Sequence, residues 1–184
     1  MDKLIFFKKL FFNTKTKFAK FIFLLSLSWL FALCSQIIIP LPFNFVPISL
    51  QPAPILFFAL YLGWPSVVAI AFTIIQTAFG APFFSGFQGG IAKLIGPTGG
   101  YIFGFLLASC FLALVRNYRK NSFFINFLKL LIANIILYVW GLLHLSFFVP
   151  YEKLLILGLY PFVFGCLLKI FFVCLLVDKV FKNS

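Results

Sequence analysis

Acid is nearly absent from this sequence: Asp2, Glu152 and Asp178 stand against fifteen lysines and arginines in 184 residues. Charge of either sign makes up only 10% of the chain, where a soluble domain carries nearer a quarter. A water-soluble fold is thereby excluded. The chain has one histidine and no Cys-x-x-Cys, and Cys34, Cys110, Cys166 and Cys174 all lie in apolar runs. Neither a metal site nor a disulfide is implied, and the cysteines read as small membrane hydrophobes. No nucleophile–base pair is visible, so an enzyme is not expected and no cofactor is called for. The glycine-rich stretch lacks the Lys-Ser/Thr that completes a phosphate loop, so the chain does not itself bind ATP. The basic residues sit at the ends and in one loop, not interleaved with polar recognition segments. That distribution excludes nucleic acid as a partner.

What is present is apolar. The chain is 64% hydrophobic with a mean hydropathy of +1.15, which marks an all-α integral membrane protein embedded in lipid. The length suits one bundle and leaves no room for a separate soluble domain. Residues 1–20 form a basic N-terminal segment, 21–177 a six-helix transmembrane domain, and 178–184 a polar tail. The apolar run after the first lysines is too long for a signal peptide, and no A-x-A site closes it. Leu33 before Cys34 likewise does not suit a lipoprotein signal.

The spans read as Phe21–Ile39, Ser49–Leu62, Ser66–Phe79, Pro97–Val115, Phe123–Phe148 and Leu154–Val177. At about 1.5 Å per residue the longer ones cross a ~30 Å hydrocarbon core. Pro40–Pro47 is an uncharged, proline-rich extended loop, and Gly63-Trp64-Pro65 turns helix two into helix three. Those two helices are short and proline-flanked, a pointer to a membrane binding site. Lysine and arginine gather at the N-terminus, at Arg116–Lys120 and at the C-terminus. With both termini cytoplasmic, this matches the bias that orients bacterial membrane proteins. The proline-rich loop and the glycine-rich stretch then share the outer face, above an outward-facing pocket.

That glycine-rich stretch, Gly89–Tyr101, reads GGIAKLIGPTGGY. Glycine lets another backbone or a ligand approach closely, and Pro97 is set to launch the next helix. Gly96, Thr98, Gly99, Gly100 and Tyr101 therefore form either the wall of a binding site or a tightly packed interhelical turn. Lys169 is the most informative single residue. It lies about eight residues, or ~12 Å, from the inner end of its helix, beyond comfortable snorkelling. Glu152 is about seventeen residues away, or ~25 Å along the helix, and the other two acids are at the cytoplasmic ends. Lys169 is neutral, wet, or awaiting an anion from outside the chain. Lys93 either attracts the same anion or is a solvated loop lysine. Gln51 and Gln76 offer paired donors and acceptors for a urea or amide, or else bond between helices. His144 reads as structural.

VPISLQ, GAPFFSGFQGG, LIGPTGGYIFGF and YPFVFGCLLK together resemble the BioY family of biotin transporters, over roughly Leu33–Lys169. The resemblance implies a substrate-binding component of an energy-coupling-factor (ECF) importer, with biotin as its ligand. It also implies an energising module of a transmembrane coupling subunit and two ATPases. On that reading Lys169 meets the biotin carboxylate, Gln51, Gln76 or loop backbone meets the ureido ring, and phenylalanines such as Phe84 meet the bicycle. Ser28 and Ala32, a small-xxx-small pair on helix one, correspond to the coupling-subunit contact. The family pattern has aspartate three residues before the lysine, where this chain has Cys166. Positions three apart share a helix face, so Cys166 is expected to line the pocket beside Lys169. Another small anionic vitamin as ligand, or a membrane assembly protein without a ligand, are the competing readings.

Overall fold

A computed structural model describes residues 16–39, 48–116 and 122–182. The expectations for residues 1–15, for the proline-rich loop 40–47, for Arg119 and Lys120 and for the last two residues lie outside the described residues. Eight helices make up the described bundle: α1 (Lys17–Ser35), α2 (Pro52–Leu62), α3 (Trp64–Ala78), α4 (Ile91–Ile95), α5 (Gly99–Leu114), α6 (Phe123–Leu145), α7 (Tyr151–Gly158) and α8 (Tyr160–Lys182). Three segments, Lys17–Ser35, Phe123–Leu145 and Tyr151–Val180, are long and apolar enough to cross a membrane, and α2, α3 and α5 are shorter apolar helices. Six principal helices stand where six were expected, with α4 and α7 as short additions.

The differences have local causes. The first helix ends at Ser35 rather than Ile39, because Ile38–Ile39 (β1) pairs antiparallel with Ile48–Ser49 (β2). These two short strands form a clasp. The last span is broken in two. Tyr101, reaching across from α5, donates its hydroxyl to the Gly158 carbonyl at 2.8 Å. Pro161, in the first turn of α8, brings no N–H to the ladder. The helix after the glycine stretch opens at Gly99, with Thr98 as its N-cap residue.

Two seams hold the bundle. Along the α5–α6 seam, a methyl group added at Gly104 would stand 2.8 Å from the Leu137 carbonyl oxygen, and one at Gly141 would run into the Tyr101 ring. Small residues let these backbones approach, which is how helices gain van der Waals contact inside lipid. Along the α1–α3 seam, Ser28 shares a 2.9 Å hydrogen bond with Thr73 and accepts another from Gln76 at 2.8 Å. At the end opposite the clasp, basic side chains cap helix C-termini. Arg116 donates to the Leu62 carbonyl of α2, and Lys129 donates to the Val115 carbonyl beyond α5 at 2.7 Å.

Candidate functional site

A hollow lies beneath the clasp, between α2, α5, α6 and α8. Its cavity volume is about 70 Å³. Its polar groups come from separate elements. Gln51, at the entry to α2, is buried and borders the hollow. Among the described residues its side-chain amide has no hydrogen-bond partner. Lys169 enters from α8 and donates to the Ser49 carbonyl of β2 at 2.6 Å. Lys93 and Thr98 enter from α4 and the turn into α5.

Between these polar points the wall is aromatic. Tyr138 on α6 meets Tyr101 edge-on at 6.2 Å and tilts against Phe162 of α8 at 6.2 Å. Phe84 and Phe105 close the remaining sides. Phe84 is held by a short turn in which it and Gln88 exchange backbone hydrogen bonds of 3.2 Å. Gly86, inside that turn, takes φ of +74°, a conformation that suits glycine. Gln36, just past α1, clasps the same turn. Its amide nitrogen donates to the Phe84 carbonyl at 3.2 Å, and its amide oxygen accepts from the Phe87 N–H at 2.9 Å.

The residues singled out in the sequence separate into two groups. Lys169, Gln51, Phe84, Lys93, Thr98 and Tyr101 converge on the hollow. The others do not. Gln76 is spent on Ser28 and on the Phe72 carbonyl of its own helix, so the interhelical alternative holds for it. Gly99 and Gly100 pack against His144 and Trp140 of α6, and the Gly96 carbonyl lies 3.1 Å from His144 Nε2. For those glycines the tight-turn alternative holds.

Cys166 lies beside the hollow, in a groove that shares Tyr138 with it. Its thiol donates to Asn134 Oδ1 at 3.2 Å and borders this apolar groove between α6 and α8. Residues three apart are offset by about 60° around a helix of 3.6 residues per turn, and here that offset places Lys169 and Cys166 on different openings. Ser28 and Ala32 are both buried, Ser28 fully so in the α1–α3 seam. Lys169 has a neutral acceptor within the chain, the Ser49 carbonyl, which no charge count reveals.

Lys93 is half-buried and outside the spanning helices. It donates to Gln88 Oε1 at 2.7 Å, and burial lowers the pKa of its ammonium below the usual lysine value. Among the described residues no group of three His, Cys, Asp or Glu is placed to hold a metal.

The hollow can therefore receive a small molecule with an anionic or strongly accepting end, an apolar middle and a hydrogen-bonding end. The model of the BioY family matches residues 9–184. A biotin transporter BioY of Thermotoga maritima is 38% identical over 86 residues, covering 46% of this chain and 50% of that protein. A probable biotin transporter BioY of Pyrococcus horikoshii is 37% identical over 97 residues, covering 52% and 58%. The chain thus aligns with about half the length of these curated relatives. Among solved structures, the S-component for biotin from an ECF-type ABC transporter superposes with a TM-score of 0.79 at 23% identity, covering 91% of this chain and 93% of that one. At that identity the likeness concerns the fold.

Proposed function

Because this chain belongs to the BioY family, we propose that it is a multi-pass membrane protein that binds biotin and serves in its uptake. The observation that carries the reading is the convergence of Lys169 and Gln51 on one aromatic-walled hollow. Biotin has a carboxylate, an apolar bicycle and a ureido group in series. The Lys169 ammonium suits the carboxylate through a charge-assisted hydrogen bond. The buried Gln51 amide offers the ureido group both a donor and an acceptor. Tyr138, Phe162, Phe84 and Phe105 suit the bicycle. The carboxylate would compete with, or add to, the Ser49 carbonyl at Lys169, so ligand entry is expected to loosen the clasp that carries Ser49. The role is binding and transport, not catalysis.

Orientation and partners are proposed from charge and kinship. With both termini in the cytoplasm of a bacterial inner membrane, the clasp and the mouth of the hollow open outward, as the positive-inside bias supports. An ECF energising module of a coupling subunit and two ATPases would supply the driving force. Since Ser28 is bonded to Thr73 and Gln76 of α3, contact through it would require α1 to part from α3.

Uptake of radiolabelled biotin tests the proposal. Cells lacking their own biotin importer should accumulate it when they express this chain, with or without an ECF module. Excess unlabelled biotin should abolish the signal. Accumulation no greater than in empty cells under both conditions would refute it. Uptake competed better by another anionic heterocycle would favour the alternative ligand, a possibility supported by the absence of any acid among the described lining residues.

A further inference from the structure

Beside the hollow, a second opening of about 400 Å³ runs between the 88–89 turn, α4 and the start of α5. Lys93 and Thr98 border both openings, so they form the partition between them. The floor of this outer groove is fixed, because His144 of α6 lies 3.1 Å from the Gly96 carbonyl that borders it. The groove holds one cation and, among its lining residues, no acid. Glu152 and Asp178, the acids among the described residues, border neither opening.

We infer that this groove is an encounter site for the carboxylate of the incoming ligand, with Lys93 capturing it before it passes to Lys169. The inference rests on the biotin-binding reading and adds a role in the rate of entry. Lys93 is held by Gln88 Oε1, a neutral acceptor. Exchanging a neutral acceptor for a carboxylate adds the attraction of opposite charges to a hydrogen bond whose donor is already ionic. The exchange needs no buried ion pair to break. Lys169, by contrast, lies deeper and is bonded to the clasp, the position of a residue that holds a bound anion. The outer lysine thus governs arrival and the inner one residence. A charge at the rim of a binding site acts mainly on association and on its salt dependence, whereas a buried partner acts on dissociation.

Association and dissociation rates of radiolabelled biotin on the purified full chain, at low and high ionic strength, test this. Lys93→Gln should slow association roughly three- to tenfold at low salt, a modest share of the range that steering spans. The gap should close as salt screens the charge. Lys93→Glu should slow it further, and Lys93→Arg should keep the wild-type rate. Dissociation should stay within about twofold in all three. Biotin amide, which lacks the carboxylate, should associate at one rate with every variant. Equal association of biotin with wild type, Lys93→Gln and Lys93→Glu would overturn the inference. So would faster dissociation from Lys93→Gln matching that from Lys169→Met, which would make Lys93 a holding residue. A wild-type protein that bound no biotin would overturn the proposed function itself, a result distinguishable from either.

Discussion

Single residues that break an apolar pattern were the most readable part of the site. Lys169 and Gln51 stood out because polarity is costly in lipid and is retained where it meets a cavity or a partner. Both line the hollow. Tyr138 and Phe162 were passed over because a chain with thirty phenylalanines offers no contrast by which to pick a wall residue. Gln36 was missed for another reason. Its partners are backbone groups of residues 82–87, and no spacing in the sequence brings them together. Cys166 borders the neighbouring groove, and its position yields a prediction. Cys166→Ala removes a weak donor to Asn134 that lies outside the hollow. Biotin affinity should therefore stay within about threefold of wild type, since a thiol contributes little as a hydrogen-bonding group. A tenfold or greater loss in equilibrium binding would place the thiol against the ligand after all.

Among the elements, the six principal helices were legible from apolar runs and their punctuation by glycine and proline. Their ends were not. The clasp of Ile38–Ile39 on Ile48–Ser49 depends on a non-local pairing, and two-residue strands leave no periodicity to read. At the break between α7 and α8 the Gly158 carbonyl is bonded by Tyr101, which comes from a different helix. That contact is testable. Tyr101→Phe leaves the Gly158 carbonyl without its hydroxyl donor in a buried place, a loss of about 1–3 kcal/mol. Thermal unfolding in detergent should show a lower midpoint for the variant. An unchanged midpoint would mean that the break is set by Gly158 and Pro161 alone. The glycine stretch serves two purposes that composition could not separate. Gly99 and Gly100 pack the α5–α6 seam, while Thr98 and Tyr101 reach the hollow.

For the whole molecule, orientation and ligand decide the function. On the proposed orientation the clasp and the hollow's mouth face outward, which labelling of single cysteines checks in a background free of native cysteines. Ser85→Cys, in the turn that borders the hollow, should react with an impermeant reagent added to intact cells. Ser122→Cys, at the start of α6, should react only after the membrane is opened. The reverse pattern would invert the topology. Ligand identity is tested most directly by titrating purified wild type and Lys169→Met with biotin and with biotin amide. Biotin at about one hundred times its dissociation constant should stabilise the wild type by about 2.7 kcal/mol. Lys169→Met should weaken biotin binding by about 1.5–3 kcal/mol, or roughly ten- to a hundredfold, while the amide loses much less. The four affinities form a cycle that isolates the coupling of ammonium to carboxylate. Wild-type protein that neither binds nor is stabilised by biotin would contradict the assignment, and equal losses for acid and amide would show that Lys169 does not read the carboxylate.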